Sequence, residues 1–315
     1  MYFGLLGPLV VAGAEGRPLP VSGPRVRALL AALLLHANTP VSADWLAETV
    51  WDGVPPPAAA RTLRSHVGRL RRQLGTDAGR VAAREPGYLI HIDSAELDIE
   101  AFETLCRDAG AALGAGEWAQ AADAAARALG LWRGAPLLDI PSQALHEQAV
   151  PRLEQLRLQA REDGAQARLH LAGHERLVPE LRDLTTEHPL RERFHAQLMV
   201  ALARSGRQAE ALAAYQHARR VLVAELGVEP GAELRVLHER ILAGDADLLP
   251  APAPSPPSRP DSMSWPVPRQ LPATVRHFVG RASELQALTE FLAQAVRAGD
   301  PEGMGPGALR FDGRR

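Results

Sequence analysis

Residues 57–74 read PAAARTLRSHVGRLRRQL, and this basic, periodic stretch decides how the N-terminal part of the chain folds. On a helix its apolar residues fall at i, i+4, i+7 and i+11, which places them on one stripe. They are Leu63, Val67, Leu70 and Leu74. The opposite side carries Arg61, Ser65, Arg69 and Arg72, with Gly68 between them and Arg64 and Arg71 on the flanks. The pattern predicts a helix that docks on a small core and exposes guanidinium and hydroxyl groups.

An exposed face of this kind suits the major groove of DNA, because an Arg side chain can fork onto guanine O6 and N7 or pair with a phosphate. The proline run at 55–57 precedes the helix, fixes its start and leaves backbone N–H groups free for a phosphate. A solvated basic face on an ordinary helix explains the same pattern equally well. The segment that follows the helix favours the first interpretation.

That segment, residues 80–93, reads RVAAREPGYLIHID. Residues 81–84 and 88–92 are short, mainly β-favouring runs, and the turn sequence EPG separates them. A basic helix followed by such a hairpin predicts a winged helix, in which the helix enters the major groove and the wing reaches a neighbouring minor groove or the backbone. The residues that we expect to contact DNA are Arg61, Thr62, Arg64, Ser65, Arg69 and Arg72 on the helix, and Arg80 and Arg84 on the hairpin.

The charge distribution supports a nucleic-acid partner for the N-terminal part alone. Residues 1–92 contain ten Arg and six acidic residues, a balance of +4, whereas the remainder contains 25 Arg and 31 acidic residues, a balance of −6. Between residues 61 and 84 there are seven Arg and one acidic residue, Asp77. Because DNA responds to the face that it meets, this local excess matters more than the net charge of −2 for the whole chain.

Length and composition limit the classes of protein to which this chain can belong. A chain of 315 residues with 46% hydrophobic content has room for two or three domains with real cores. Cys106 is the only cysteine, so no disulfide framework exists, and we interpret it as a small buried helix residue. No apolar run approaches the roughly 18–20 residues that a membrane span needs, and no charged n-region opens the chain. We expect a cytoplasmic, nucleoid-associated protein with no membrane contact.

The residues before the basic helix complete a recognisable module. Residues 2–11 and 19–21 predict a small sheet, residues 24–36 and 43–51 predict two helices, and Ser42 is a good N-cap for the second. The order is sheet, helix, helix, loop, helix, hairpin. This order, with RTLRSHVGRLRRQL and REPGYLI as they stand here, resembles the response-regulator winged helix of the OmpR type. No receiver domain precedes it in this chain, so the resemblance gives no support for aspartyl phosphorylation as the switch.

The composition changes over residues 97–245, which predict helices rich in Ala, Leu and Arg. Residues 116–121, 173–177 and 206–211 each open a helix, and the last two openings lie 33 residues apart. Residues 209–215, AEALAAY, resemble the second half of a tetratricopeptide unit, whose period is about 34 residues. Stacked units of this kind leave a concave surface for partners. A helical bundle without a groove is the alternative.

Two further stretches carry a more specific resemblance. Residues 225–234, ELGVEPGAEL, and residues 98–102, DIEAF, resemble parts of the bacterial transcriptional activator domain. A winged helix followed directly by this domain is the architecture of Streptomyces antibiotic regulatory proteins, and the resemblance covers roughly residues 1–245. It implies a sequence-specific activator that binds direct repeats in promoters and recruits RNA polymerase. The genes that such an activator controls usually form a biosynthetic cluster for a secondary metabolite such as an antibiotic.

The resemblance also implies the partners. They are double-stranded promoter DNA and the RNA polymerase holoenzyme, contacted through its sigma factor or its beta or alpha subunits. The activator would act as a homodimer or as tandem copies on DNA. By the same analogy the loop between the second and third helices contacts polymerase, and it comprises Asp52, Gly53, Val54, Pro55 and Pro56. A plain rigid connector is the alternative for this loop.

The remainder of the chain predicts a linker and the start of another domain. Residues 246–270 are rich in Pro and predict a stiff, extended linker. Residues 271–315 resemble the opening of a STAND-type nucleotide-binding domain, with LPAT at 271–274 and FVGR at 278–281. The phosphate-binding loop of such a domain requires Lys, which the chain lacks throughout. We expect no response to ATP, whether the protein naturally ends here or the chain is a piece of a longer regulator.

No catalytic, metal or cofactor site is predicted. The eleven His are scattered, no second Cys accompanies Cys106, and no G-x-S-x-G motif is present. The sequence predicts a mainly α protein, with an N-terminal winged helix-turn-helix and small β-sheets at 1–94 and an all-α, tetratricopeptide-like domain at 97–245. We expect a transcriptional activator rather than an enzyme, and we expect residues 1–95 to fold on their own. The rival is a protein-interaction scaffold without specific DNA binding.

Overall fold

The fold is seen in a computed structural model. It describes residues 1–248 apart from 14, 15, 172 and 246, together with residues 283, 286, 287, 289 and 290. The expected linker beyond residue 248 and the expected nucleotide-binding segment at 271–315 lie outside the described residues, save for those five positions. The elements below therefore belong to the winged-helix module, residues 1–94, and to the helical domain, residues 97–245.

The winged-helix module begins with a two-stranded antiparallel sheet and ends with a three-stranded one. In chain order its elements are β1 (Tyr2–Gly4), β2 (Val10–Ala12), α1 (Pro24–Leu35), β3 (Val41–Ser42), α2 (Ala43–Val50), α3 (Ala59–Leu74), β4 (Val81–Arg84) and β5 (Gly87–Ile90). The predicted order of sheet, helix, helix, loop, helix and hairpin is confirmed. The basic helix α3 starts at Ala59, slightly later than the proline run indicated.

Ser42 begins α2 as the sequence predicts, because its hydroxyl accepts a hydrogen bond from the Trp45 N–H at 3.1 Å. Ser42 also ends β3, which pairs antiparallel with β5 and gives the strand order β3-β5-β4. The sequence does not predict β3, because two residues carry no alternation pattern. Through β3 the wing hairpin is joined to the start of α2.

The helical domain consists of paired helices. In chain order they are α4 (Asp98–Ala115), α5 (Trp118–Gly130), α6 (Gln143–His170), α7 (Val178–Glu187), α8 (Glu192–Arg204), α9 (Gln208–Leu226) and α10 (Ala232–Leu242). Helix α4 packs on α5, and α8 packs on α9. Small buried residues such as Ala121 on α5 and Ala211 on α9 let the paired helices approach closely. The three predicted helix openings coincide with α5, with a 3-10 turn leading into α7, and with α9.

Helix α6 connects two hydrophobic cores. The first core contains Phe3 and Leu63 from the winged-helix module together with Phe102 from α4 and Leu153 from α6. The second core lies beyond the middle of α6 and includes Phe194 of α8. The junction between the winged-helix module and the helical domain is therefore buried inside one continuous core.

Asp98, the first residue of α4, lies at this junction with a fully buried side chain. Its carboxylate accepts hydrogen bonds from the Leu5 N–H at 2.8 and 2.9 Å and from the Leu6 N–H at 2.9 Å. Arg133, between α5 and α6, donates to the same carboxylate at 2.9 Å. A buried N–H group without a partner is costly, so a fragment that ends at residue 95 leaves two such groups unpaired. The shared core and this contact leave residues 1–95 without part of their packing and hydrogen bonding, and the independent folding of that fragment stays a prediction.

Replacing Asp98 with Ala should destabilise the protein by roughly 3–5 kcal/mol, because Arg133 and two buried amides lose their acceptor. Asp93→Ala is the matched control. Asp93 is 82% exposed and lies 3.5 Å from Arg80, so its loss should change stability by no more than about 0.5 kcal/mol. Chemical denaturation of both variants measures the difference. Equal stability of D98A and D93A would contradict the role given to the buried carboxylate.

Candidate nucleic-acid interface

Helix α3 presents its two faces as the sequence predicts. Its apolar stripe is at most 2% exposed, packs against α1 and α2, and comprises Leu63, Val67, Leu70 and Leu74. His66 lies beside the stripe, half-buried, with its ring centroid 5.7 Å from that of Trp51. Burial, together with the guanidinium groups of Arg69 and Arg25, lowers the pKa of His66 below its usual value. His66 therefore packs as a neutral ring at neutral pH.

The opposite face of α3 is exposed and basic. Its exposed side chains are Arg61, Arg64, Ser65, Arg69 and Arg72, and Thr62 is half-buried. Within the part of the chain that the structure describes, none of the four guanidinium groups forms an ion pair. The hydroxyls are used locally, since Thr62 donates to the Ala58 carbonyl at 3.1 Å and Ser65 donates to the Arg61 carbonyl at 3.2 Å. The arginines are therefore the groups available to a ligand.

Arg69 is held differently from its neighbours on this face. Its Nη2 group donates to Ser22 Oγ at 3.3 Å, and the Gln73 amide donates to the same hydroxyl at 2.8 Å. Ser22 directly precedes Gly23, the N-cap of α1. The guanidinium of Arg69 is thus held beside the positive end of the α1 dipole.

Arg80 does not face solvent in the way that the sequence indicated. Its guanidinium donates to Asp77 Oδ1 at 3.1 Å and to the two carboxylate oxygens of Glu96 at 2.6 and 3.0 Å. Glu96 also accepts from the N-terminal amine at 2.5 Å. These contacts use its hydrogen-bond donors to join the base of the wing to the start of the helical domain, so the contact of Arg80 with DNA gains no support from this geometry and stays a prediction. The local pattern could not show this, since Glu96 lies 16 residues away.

The wing places Arg84 at the exposed end of β4, as predicted. Gly87, the first residue of β5, lies where a Cβ atom would be 2.2 Å from the Val41 carbonyl oxygen and 2.5 Å from the Ala43 nitrogen. Only glycine lets the hairpin approach the backbone this closely. The REPG sequence therefore specifies the position of the wing against α2 as well as its turn.

The loop between α2 and α3 has a fixed part and an exposed part. Asp52 has a φ of +51°, and its carboxylate accepts from the Ala144 N–H at 3.3 Å, at the start of α6. Val54 is 79% exposed. The other members of the predicted polymerase-contact loop are exposed or half-buried, and they are Gly53, Pro55 and Pro56. Asp52 thus faces the helical domain, whereas Val54 faces solvent.

Metal binding, membrane insertion and thiol reactivity are the other kinds of chemistry that bear on the described residues. Among them no group of three or more His, Cys, Asp or Glu side chains could hold a metal ion. None of their helices has the length and apolar content to cross a bilayer. Burial raises the pKa of the Cys106 thiol to about 11, with a further contribution from Asp163 and Glu103. Cys106 is therefore protonated at neutral pH and is a poor nucleophile.

Two families match the two parts of this chain. Residues 19–90 match the family described as transcriptional regulatory protein, C terminal, and residues 97–242 match the bacterial transcriptional activator domain. Regulatory protein DnrI of Streptomyces peucetius is 36% identical over 255 residues, which cover 78% of this chain and 93% of DnrI. The chain belongs to the Streptomyces antibiotic regulatory protein family. The resemblance inferred from the sequence is thereby confirmed.

A longer relative and a solved structure extend this comparison. Regulatory protein AfsR of Streptomyces griseus is 42% identical over 94% of this chain, and the chain spans 30% of the length of AfsR. Mycobacterium tuberculosis EmbR, solved in complex with a low-affinity phosphopeptide, matches with a TM-score of 0.74 at 35% identity. The match covers 80% of this chain and 66% of the EmbR chain. It confirms the fold class, a winged helix followed by helical repeats, in a family of transcriptional regulators.

Two glycine substitutions test the geometry of the interface. Gly87→Ala should destabilise the protein by roughly 1–3 kcal/mol, because the added Cβ meets backbone atoms of β3 and α2. Gly68→Ala, in the middle of α3 with nothing within 4 Å of its Cβ, should instead stabilise by roughly 0.5–1 kcal/mol. Thermal unfolding measures both. A stabilising G87A would show that the wing does not pack against β3.

Proposed function

We propose that this protein is a sequence-specific DNA-binding activator of transcription, which binds direct repeats in a promoter and recruits RNA polymerase. We further propose that its target genes form a biosynthetic cluster for a secondary metabolite. The observation that carries the proposal is the exposed face of α3, where four arginines stand opposite a fully buried stripe. Membership of a family of transcriptional regulators supports the same function.

Several arginines elsewhere in the chain are paired with carboxylates. This contrast supports the proposal that the arginines of α3 bind an anion of a partner molecule. In the helical domain the guanidinium groups of Arg168, Arg182 and Arg219 each lie 2.6 Å from a carboxylate. On α3 no described carboxylate takes that place, so a phosphate or a guanine edge is the complementary partner. A rigid helix with unpaired cationic groups binds DNA in part by releasing counterions from the phosphates.

The geometry favours a different DNA group for each of the proposed contacts. Arg61, Arg64 and Arg72 reach base edges or phosphates in the major groove. Arg69, held beside Ser22 at the start of α1, binds a phosphate there, because that position combines a guanidinium with a helix N-terminus. Arg84 on the wing contacts the backbone or the neighbouring minor groove. Thr62 and Ser65 remain within this interface.

Activation requires a second surface, and the α2–α3 loop supplies the proposed one. Val54 has the largest exposure among the large hydrophobic residues of the described chain. An apolar side chain presented on a loop beside bound DNA suits contact with the RNA polymerase holoenzyme, through its sigma factor or its beta or alpha subunits. Direct repeats orient two bound copies in the same direction, which favours tandem binding over a two-fold homodimer.

Alanine substitutions on α3 test the DNA interface. R61A, R64A and R72A should each weaken binding to the operator. Loss of a phosphate contact should lower the salt slope by about 0.9, whereas loss of a base contact should cost roughly 1–3 kcal/mol at one base pair. Fluorescence anisotropy with a salt titration measures both quantities, on a site defined by selection from random DNA and by footprinting next to the protein's own gene.

Arg127→Ala is the matched control for these variants. Arg127 lies on α5 with a side chain that is 66% exposed and 3.6 Å from Asp123, so its loss should leave DNA affinity unchanged. Equal affinity for the native protein, R61A, R64A and R72A would exclude α3 as the interface. Binding of the native protein that shows no preference among DNA sequences would favour the scaffold function instead.

A charge placed in the α2–α3 loop separates activation from DNA binding. Val54→Asp should reduce run-off transcription from the operator-bearing promoter, because it replaces an apolar contact with a hydrated carboxylate. Promoter affinity should not change. Val236→Asp is the matched control, since Val236 is 53% exposed on α10. Full transcription by V54D would show that the loop is only a rigid connector.

A further inference from the structure

The α2–α3 loop is held from the helical domain through the first turn of α6. Ser142, the N-cap of α6, is almost completely buried, and its hydroxyl lies 2.8 Å from the Thr49 carbonyl oxygen and 3.2 Å from Asp52 Oδ1. The hydroxyl has one hydrogen for these two acceptors, and the Thr49 carbonyl is the nearer. The Ala144 N–H donates to the same Asp52 oxygen at 3.3 Å. The end of α2 and the start of the loop thus depend on α6.

Asp52 is suited to this contact by charge and by conformation. The free N–H groups and the dipole of a helix N-terminus favour a carboxylate, and α6 is 28 residues long. Arg25 of α1 lies 3.9 Å from the second oxygen of Asp52 and donates to the Val50 carbonyl. The φ of +51° is tolerated by Asp, Asn and Gly better than by other residues. We call this set of contacts, made by Asp52, Ser142, Ala144, Thr49 and Arg25, the interdomain clasp.

The loop beyond Asp52 has few contacts of its own. The Gly53 N–H donates to the Glu48 carbonyl at 2.8 Å and the Val54 N–H donates to the Trp51 carbonyl at 3.1 Å, both within the same turn. Val54 itself projects into solvent. The direction of Val54 is therefore set by these two bonds to the end of α2 and by the place where the clasp holds Asp52.

We infer that Asp52 is a positioning residue, through which the helical domain holds the α2–α3 loop in the conformation that contacts polymerase. The inference rests on the proposed function, since it concerns how that loop becomes competent for activation. DNA binding does not depend on the clasp, because the exposed face of α3 is oriented by the packing of the opposite, buried stripe on α1 and α2. The helical domain thus contributes to activation by fixing a loop of the winged-helix module.

Three variants of the 315-residue chain separate the clasp from a direct contact between Asp52 and polymerase. Asp52→Gly keeps the backbone conformation accessible and removes the acceptor. Asp52→Asn keeps both a side-chain acceptor and tolerance of positive φ, but removes the charge. Ser142→Ala removes the hydroxyl from the other side of the clasp, outside the loop. Glu48→Gln, an exposed change on α2, is the matched control.

Each variant is measured in three ways. Hydrogen exchange at the amides of residues 53, 54 and 144 reports the clasp itself, without any need for DNA or polymerase. Anisotropy on the operator reports DNA affinity, and run-off transcription reports activation. We expect D52G and S142A to exchange faster at these amides and to activate about fivefold less, as expected for the loss of one hydrogen bond. Their DNA affinity should equal that of E48Q, and D52N should recover most of the lost activation.

The results that would overturn the inference are distinct from those that would overturn the proposed function. Unchanged exchange in both D52G and S142A would show that the clasp does not hold the loop. Faster exchange with full activation would show that the loop position is irrelevant to polymerase. Loss of activation in D52N equal to that in D52G, with S142A unaffected, would assign Asp52 to a direct contact through its charge. Absence of specific DNA binding by the native protein would overturn the proposed function, while the exchange data would still decide whether the clasp exists.

Discussion

A single buried charge, the carboxylate of Asp98, constrains the whole arrangement. Burying a carboxylate is unfavourable unless hydrogen-bond donors surround it, and here the donors are the Leu5 and Leu6 amides and Arg133. They come from the chain after β1 and from the segment between α5 and α6. Because the Asp98 carboxylate needs all of these donors, it fixes the N-terminal sheet against helices α4 and α5. Helices α1 and α3 pack on the same core, which in turn sets the direction of the exposed face of α3.

The chain carries 35 Arg and no Lys, so all of its side-chain cations have a planar guanidinium that suits paired hydrogen bonds. What an individual Arg does is decided by whether a carboxylate lies within reach. Arg80 and Arg133 meet buried or half-buried carboxylates and stabilise the fold. Arg61 and Arg64 meet none among the described residues and remain available to DNA. The candidate interface is thus a part of the cationic surface that ion pairs within the described fold leave uncompensated.

The sequence predicted those features that arise within one segment. Both faces of α3 follow from a single period of 3.6 residues, and the wing follows from its EPG turn. Contacts that depend on distant partners were not predicted. Arg80 was assigned to DNA for its place on the basic hairpin, and its carboxylate partner Glu96 lies 16 residues away. The contact between Asp52 and Ser142 spans 90 residues. Independent folding of residues 1–95 was expected for the same reason, since no local pattern shows that a core is shared.

The shared core also bears on how operator preference diversifies among such regulators. A DNA-binding module with a core of its own could be exchanged between proteins as a cassette. Here an exchanged segment would have to match Asp98, Arg133 and the apolar side chains of α4 and α6. Substitutions at the solvent-facing positions of α3 carry no such requirement, because those side chains are exposed and are not members of either core. New specificities should therefore arise by point changes on one helix face more readily than by recombination of whole domains.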